Sequence, residues 1–384
     1  MPASAPVPAS AGPASAHPPA PARAASRPSY LHLARLTDDV GLFEHSRYAE
    51  PRPEHGYCVD DVARGLVVAV REPEPTPELT ALAETYLRFL EGALEPDGRM
   101  HNRRALDGSW PDEADVGDWW GRAVQAFGTA AVHAPDAFTR HRALRDLHRA
   151  AQQRTPHLRA AAHAVLGAGE VLLAEPGDRA ALDLVTDLAP VIDAHPHHAW
   201  PWPEERLAYG NAVVAEAVLL AGHVLRRPAL IGRGLALLRF LLDTETTEDR
   251  LSVTGHRGRA PGEAGPLFDQ QPIEVGAIAD ACARAADLTG DPGWASGVDL
   301  AFAWFLGRND AAVPMLDADT GAGYDGLHRR GRNENRGAES TLAALATWQH
   351  ARRLHAGSSG VATDDRDRTA GPRHPGDADG AVRA

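Results

Sequence analysis

The sequence predicts an all-α fold, an (α/α)6 toroid in which paired helices close into a ring. Apolar residues recur every three or four positions through the middle of the chain, as they do on the buried face of an α-helix. Short polar turns, such as residues 72–75 and 289–292, join these helices in pairs. The first helices of successive pairs start roughly 40–65 residues apart, as expected for a repeating helical hairpin.

Eleven helices are predicted from this periodicity. They cover residues 60–71, 76–94, 117–133, 137–152, 156–173, 177–193, 209–226, 228–243, 271–289, 291–306 and 337–355. A short segment at 30–36 could complete the set. The sequence contains neither a long alternating strand pattern nor a glycine-rich phosphate loop between a strand and a helix.

Polar and aromatic clusters precede the helices that begin near residues 60, 117, 209, 271 and 337. If these helices form an inner ring and run in the same direction, their clusters meet at one rim. The free backbone N–H groups of helix N-termini would also face that rim. An α-solenoid is the alternative architecture, but it would show a more even repeat and would not place carboxylates and tryptophans at one end of alternate helices.

Composition and charge limit the classes of partner. The formal net charge of −13 excludes a nucleic acid as the expected partner, because such binders usually carry a basic face. No run of 18 apolar residues occurs, so no membrane span is predicted. Cys58 and Cys282 are too few for a disulfide framework and are interpreted as buried thiols. A cytoplasmic location is the resulting expectation.

The two ends of the chain differ from its middle. Residues 1–29 are rich in Ala, Pro and Ser and lack the unbroken apolar segment of a signal peptide, so a disordered tail is predicted. Residues 357–384 are predicted to be a second disordered tail. The toroid is therefore expected to span residues 30–356.

The first cluster places Asp60 and Asp61 side by side at a predicted helix start, with His55, Tyr57 and Arg64 around them. One Asp is explained as a helix cap or first-turn residue. Two adjacent carboxylates repel each other, so one can be held protonated and act as a general acid.

The second cluster contains Trp200, Trp202 and Glu204 in a proline-rich loop, followed by Asn211. Indole rings can stack on the C–H faces of sugars, while carboxylate and amide groups bind sugar hydroxyls. The alternative is a surface loop whose tryptophans are buried plugs. Glu216, deeper in the next helix, could reach an inner cavity or pair with an arginine.

The third cluster, Asp269, Gln270, Gln271 and Glu274, surrounds the start of another helix. All four side chains can bind hydroxyl groups. Glu274 also has a structural explanation, because a capping box would place a glutamate in the first turn of its own helix.

Two further clusters precede helices. One contains Asn333, Asn335 and Glu339, with Asp325 in the loop before them, and the other contains Asp118, Trp119 and Arg122. Compensation of the helix dipole is the structural alternative for Glu339. His32, Arg35, Asp38, Asp39 and His45 form an N-terminal polar stretch that could close over the rim.

No metal or cofactor is expected. The sequence has no Cys/His spacing suited to zinc and no His-Glu-x-x-His motif. Its acidic residues do not have the spacing of an EF-hand calcium loop.

The segments at 56–64, 200–202, 269–274 and 337–340 together resemble those of bacterial six-hairpin glycosidase-like proteins. Such proteins are often labelled as glycosyltransferases, since a similar domain occurs attached to or encoded beside retaining sugar-nucleotide glycosyltransferases. The resemblance covers residues 31–355 and implies an (α/α)6 toroid, carbohydrate metabolism and a glycosyltransferase partner. The chain itself contains no nucleotide-binding half, and it has Pro203, Val62 and Gly210 at positions where the resemblance implies other residues.

These observations predict a glycoside hydrolase or related enzyme acting on an oligosaccharide or other glycan. Glycosidic cleavage needs a protonated carboxylic acid and a second carboxylate. Asp60 or Asp61 is expected to be one of them, with Glu204, Glu274 and Glu339 competing for the other role. An inverting reaction is expected by analogy with other enzymes of this fold. The residues expected to bind the sugar are His55, Tyr57, Arg64, Asp118, Trp119, Trp200, Trp202, Asn211, Asp269, Gln270, Gln271 and Asn335.

Three alternatives remain open at this point. An epimerase would use histidines as acid and base, with His55 and His256 as the candidates. A non-catalytic glycan-binding module that assists a glycosyltransferase would have its carboxylates neutralised by arginines. A scaffold protein would have buried tryptophans and no deep pocket at the rim.

Overall fold

The computed structural model describes Ala24, residues 26–193 and residues 200–364, with side chains described as far as residue 356. Most of the predicted tail at 1–29 lies outside the described residues, as do residues 365–384 of the second tail. The last helix continues to Asp364, beyond the expected end of the toroid at residue 356. The domain boundaries stay a prediction.

Twelve α-helices make up the framework of the described residues, and they match the eleven predicted segments and the short segment at 30–36. They are α1 (Leu31–Arg35), α2 (Val59–Arg71), α3 (Pro77–Ala93), α4 (Asp118–His133), α5 (Ala137–Ala150), α6 (Leu158–Ala174), α7 (Arg179–Ile192), α8 (Asn211–Val224), α9 (Pro228–Glu245), α10 (Pro272–Thr289), α11 (Ala295–Phe305) and α12 (Ala338–Asp364). Among the described residues, no helix combines the length and apolar character needed to cross a membrane.

The even-numbered helices form a closed inner ring. Each packs against the next, and α12 packs against α2. Helices α3, α5, α7, α9 and α11 each pack outside the preceding inner helix, and α1 packs against α12 as the sixth outer member. The contact between α12 and α2 confirms the (α/α)6 toroid and excludes an open solenoid.

The inner helices are buried because other helices surround them. All residues of α8 from Asn211 to Gly222 are buried, as expected for a helix that is apolar on nearly every side. Helices α4 and α6 approach so closely that a Cβ added to Gly128 would lie 2.0 Å from the carbonyl oxygen of Gly167. Glycine is therefore required at this contact.

Short strands occupy the connections between helices. They are β1 (Ser46–Arg47), β2 (Glu50–Pro51), β3 (Tyr57–Cys58), β4 (Arg103–Arg104), β5 (Thr246–Thr247), β6 (Arg250–Leu251), β7 (Leu316–Asp317), β8 (Ala322–Gly323), β9 (Leu327–His328) and β10 (Gly331–Arg332). They pair consecutively as five antiparallel two-stranded sheets. Pairing of β3 with β4 brings Arg103 beside the start of α2. A bridge between Gln270 and Leu327 joins the loops that precede α10 and α12.

Candidate active site

A cavity of about 830 Å³ opens at the N-terminal ends of the inner helices. Side chains from the starts of α2, α4, α10 and α12 and the loops around them form its wall, together with the segment that precedes α8. The predicted site residues on this wall are Asp60, Asp61, Arg64, Asp118, Asp269, Gln271, Glu274 and Glu339. The shared direction of the inner helices thus brings together carboxylates that are more than 200 residues apart in the chain.

Helix α6 contributes no residue to the wall because the loop before α8 crosses its N-terminal end. Arg159, at the start of α6, donates a hydrogen bond from Nε to the carbonyl oxygen of Tyr209 (2.8 Å). Its guanidinium group also lies over the Tyr209 ring, 5.0 Å from the ring centre. The Tyr209 hydroxyl continues across the rim and donates to Asp118 Oδ2 (2.5 Å).

Asp61 is the most deeply buried carboxylate of the predicted pair and is 2% exposed. Arg64 donates to Asp61 Oδ1 (2.5 Å) and to Glu339 Oε2 (2.8 Å), so one guanidinium group joins α2 to α12. Burial raises the pKa of Asp61 to about 7, although the charge of Arg64 opposes this effect. At neutral pH a large fraction of Asp61 is therefore protonated.

Asp60 faces a different arginine. Its Oδ1 lies 3.1 Å from Nε of Arg122 on α4. The thiol of Cys58 lies 3.5 Å from the other carboxylate oxygen. The adjacent carboxylates of the first cluster are thus separated by their pairing with two arginines of neighbouring helices.

Glu274 forms a cap, but for a helix other than its own. Its carboxylate accepts hydrogen bonds from the backbone N–H groups of Gly210 (2.6 Å) and Asn211 (3.2 Å) and from the Asn211 side chain (3.2 Å). Gly210 has a positive φ of 55° and supplies no side-chain cap to α8. The prediction that Glu274 caps its own helix, α10, is therefore wrong, because its carboxylate caps α8. Burial raises its pKa.

The tryptophans of the site prediction do not line the cavity. Trp202 is fully buried against Phe240, so the predicted stacking of this ring on a sugar is not possible in this structure. Trp200 donates from Nε1 to the backbone oxygen of Glu204, and Trp119 donates to the backbone oxygen of Met100. These indoles hold loops in place behind the wall, as expected if the tryptophans are structural and do not bind a sugar. The cavity at the rim nevertheless argues against a scaffold protein, for which no deep pocket was expected.

Other predicted residues also lie away from the wall. Glu204 forms an ion pair with Arg159 (2.5 Å). The five remaining residues in this group are His55, Tyr57, Asn211, Gln270 and Asn335. Tyr57, for example, donates to Asp38 (2.6 Å), and its neighbour His55 packs its ring edge against His45. The sequence pattern placed these residues near the rim, but it could not predict whether their side chains point into the cavity.

Sequence reasoning did not select several residues that line the cavity. They are Glu44, His45, Arg103, Arg122, Tyr209, Thr254, Asp325, His328 and Asn333 among others. Arg122, His45, Asp325 and Asn333 lie within segments that the sequence had marked as polar, but Arg103 and His328 belong to short strands without such a signal.

Four wall carboxylates have no arginine partner among the described residues, and Glu274, the cap of α8, is one of them. Within the part of the chain that the structure describes, Asp118 accepts only from Tyr209, and no donor is bonded to the Asp269 carboxylate. Asp325 accepts from the backbone N–H of Gly337 (2.7 Å), and burial raises its pKa. These groups differ from Asp60, Asp61, Glu204 and Glu339, each of which contacts an arginine.

Two histidines line the cavity with their rings oriented by the backbone. The Nδ1 atom of His256 accepts from the N–H of Asp269 (3.1 Å), and Nδ1 of His328 accepts from that of Arg330 (3.2 Å). In each neutral ring the proton is therefore on Nε2, which is left for a ligand.

One group of possible metal ligands occurs among the described residues. Atoms of Glu44, Cys58 and Asp61 lie within 4.8 Å of one another. Arg103 binds Glu44 and Arg64 binds Asp61, and burial raises the pKa of the Cys58 thiol well above its usual value. This environment favours hydrogen bonding over metal binding, and the absence of an essential metal stays a prediction.

A second cavity, of about 580 Å³, lies at the opposite mouth of the ring. Glu216 reaches it and pairs with Arg284 (3.3 Å), which also binds Glu170. Glu216 thus both reaches a cavity and pairs with an arginine, the two alternatives predicted for it. Because Arg284 balances its charge, this mouth differs from the rim cavity, where some carboxylates have no arginine partner.

No family model matches this chain, and no curated protein matches it. Similar solved structures include a sugar epimerase from a ruminal bacterium, with 13% identity and a TM-score of 0.62 over 86% of this chain and 98% of that chain. A cellobiose 2-epimerase from Bacillus thermoamylovorans has 11% identity and a TM-score of 0.63 over 85% and 96% of the two chains. A GH76 α-mannanase from Bacteroides thetaiotaomicron has 10% identity and a TM-score of 0.57 over 80% and 88%. These likenesses show that the chain shares the (α/α)6 toroid fold of these proteins.

Proposed function

We propose that this protein is a carbohydrate-processing enzyme that hydrolyses a glycosidic bond of a short oligosaccharide. The observation that carries the proposal is Asp61, a buried carboxyl group on the wall of a large open cavity, with a pKa raised to about 7. A general acid is most effective when its pKa is near the working pH. The structurally similar proteins include an α-mannanase and sugar epimerases, which is consistent with a sugar ligand.

Asp61 acts as the proton donor to the leaving oxygen. Arg64 orients the Asp61 carboxyl group and, through its second nitrogen, links it to Glu339. Asp118 or Asp269 supplies the second carboxylate, because neither is neutralised by an arginine and both face the cavity. Glu204 and Glu274 are less suited to this role, since an ion pair and a helix cap already engage them.

In an inverting reaction the second carboxylate takes a proton from water on the far side of the sugar ring. Water attacks the anomeric carbon as the bond to the leaving oxygen breaks, and Asp61 protonates that oxygen. Asp118 lies at the start of α4, the neighbour of α2 in the inner ring, whereas Asp269 precedes α10, which is two helices away from α2.

The test is hydrolysis of an oligosaccharide panel by the wild type and by Asp61→Asn. We expect Asp61→Asn to lose about 10²–10⁴-fold in kcat on any substrate that the wild type cleaves. Asp243→Asn, on the exposed face of α9, is the matched control and should keep full activity. Proton NMR of the first product identifies the anomer. Full activity of Asp61→Asn would refute the assignment.

Epimerisation of a sugar is a second candidate, favoured by the orientation of His256 and His328. Both residues line the cavity, from the loops that precede α10 and α12. Because Nδ1 of each ring accepts from the backbone, each neutral ring can act as an acid through its Nε2 proton, and the base would be a carboxylate of the wall. His55, the other histidine considered from the sequence, is not on the wall. Incorporation of deuterium from D₂O into recovered sugar, lost in His256→Asn and His328→Asn, would favour this candidate over hydrolysis.

A non-catalytic glycan-binding role would be favoured if a sugar bound but neither reaction occurred, because four predicted catalytic carboxylates are paired with arginine.

The glycosyltransferase partner that the sequence resemblance implies stays a prediction, and co-purification of such an enzyme with the full chain would test it.

A further inference from the structure

A small pit lies below the floor of the rim cavity, on the axis of the inner ring. Its volume is about 70 Å³, and it shares Arg64, Arg122, Gly210 and Ile273 with the cavity above. Arg64 and His163 lie five residues after the first residues of α2 and α6, and Arg122 lies four residues after the start of α4. At 1.5 Å per residue, these three side chains start about 6–8 Å below the rim.

His163 presents an unused hydrogen-bond acceptor to the pit. The residue is only 3% exposed, and its Nδ1 contacts Gln125 Oε1 (2.7 Å). An amide oxygen can only accept, so Nδ1 carries the proton and Nε2 has a lone pair. Nε2 has no hydrogen-bond partner in the described structure. Burial, together with the charges of Arg122 and Arg64, lowers the pKa of His163 well below its usual value, so the ring is neutral.

One unused donor complements this acceptor. The Nε–H group of Arg64 is buried and has no hydrogen-bond partner among the described residues. Nε of Arg122, in contrast, lies 3.1 Å from Asp60 Oδ1. Buried polar groups are normally paired, so an unpaired acceptor and an unpaired donor on residues that line the same small space call for an occupant.

The chemistry of these groups selects a hydroxyl. A hydroxyl donates one hydrogen bond and accepts another, which matches the acceptor of His163 and the donor of Arg64. A fully ionised anion has no proton to donate to Nε2 of His163, and an ammonium group has no lone pair to accept from Nε–H of Arg64. The rest of the wall includes the apolar Val67, Leu166 and Leu342, which suit a methylene group. Its charged residues are paired within the protein, since Asp280 binds Arg71 and Glu216 binds Arg284.

We propose that this pit is a subsite for the hydroxymethyl group of a hexose, and that His163 determines specificity by accepting the hydrogen bond of its primary hydroxyl. This inference rests on the proposed action on sugars. It adds which part of the sugar is recognised, and it holds for hydrolysis and for epimerisation alike.

The test compares hexoses with their 6-deoxy counterparts. D-glucose with 6-deoxy-D-glucose, and D-mannose with 6-deoxy-D-mannose, are titrated into the full chain and followed by NMR. We expect the hexose of at least one pair to bind about tenfold more tightly, because the 6-deoxy sugar leaves the buried groups unpaired. The wild-type comparison needs no variant, so it does not depend on the folding of a mutant.

Two variants identify the residue responsible. His163→Phe keeps a planar ring but removes the acceptor, so the discrimination should fall to about onefold, whereas His163→Gln should restore part of it through its amide oxygen. His141→Phe, the same change on the exposed outer helix α5, should leave the discrimination unchanged.

The outcomes separate this inference from the proposed function. The subsite proposal is overturned if the hexose and the 6-deoxy sugar bind equally in every pair that binds. It is also overturned if His163→Phe still discriminates between them. Neither result contradicts action on sugars. An imidazole ¹⁵N resonance of His163 that does not move at saturating hexose shows that only water occupies the pit, with the same consequence. If neither the four monosaccharides nor the oligosaccharide panel binds, the proposed function and the subsite fail together.

Discussion

Replacing Asp61 by Asn should change how the stability of the protein depends on pH. The pKa of this buried carboxyl rises from 3.8 to about 7 on folding, so the folded state holds its proton more tightly than the unfolded state does. The contribution of Asp61 to the free energy of unfolding is therefore fully present below pH 3.8 and is lost as the pH rises through 7. At 1.36 kcal/mol for each pH unit, the wild type loses about 4 kcal/mol from this group. Asn cannot ionise, so Asp61→Asn removes this loss.

Urea unfolding of the two proteins at pH 4, 5, 6, 7 and 8 measures the effect. The free energy of unfolding of the wild type, relative to Asp61→Asn, should fall by about 4 kcal/mol between the acidic and alkaline ends. Asp243→Asn controls for the change of charge at an exposed position and should show no such slope. A difference between wild type and Asp61→Asn that is independent of pH would refute the raised pKa, and with it the basis for assigning Asp61 as the acid.

Three further predictions concern packing and burial. Gly128→Ala should lower the free energy of unfolding by about 2 kcal/mol or more, since the added Cβ would lie 2.0 Å from a carbonyl oxygen of α6. Gly92→Ala is its control, because that Cβ meets nothing within 4 Å and alanine favours a helix, so urea unfolding should show no loss. Trp202→Phe should lower the unfolding midpoint but change sugar affinity by less than about twofold in calorimetry, because the indole is not on the cavity wall. A large loss of affinity in a folded variant would contradict the structure. Glu245→Gln should stabilise the protein at pH 8 and much less at pH 4, because burial raises the pKa of Glu245 to about 7. Equal thermal shifts at the two pH values would count against this.

The helices were predictable because their signal is local. The apolar period of residues 117–133 predicted α4 to within one residue of its start, and the polar turn at 289–292 marked the end of α10. The position of Asp60 and Asp61 at the start of an inner helix was likewise sufficient to place them at the rim. Helix direction then brought Glu339 to the same cavity.

Side-chain partners were not predictable in this way. Trp202 has the proline-rich surroundings of an exposed loop, yet it packs against Phe240 from α9, the second helix after it along the chain. Glu274 has the spacing of a cap for its own helix, yet its carboxylate binds the backbone at Gly210, 64 residues away. Nothing in the local pattern of either residue reports such a neighbour.

The chain alone determined its helical periods, its hairpin rhythm and the presence of acidic residues at the starts of alternate helices, because each depends on residues a few positions apart. Closure of the ring decided which carboxylates meet an arginine, which aromatic rings are covered and which buried atoms, such as Nε2 of His163, are left for a ligand. These properties depend on distance and burial between segments that lie far apart in sequence, and only packing of the whole toroid sets them.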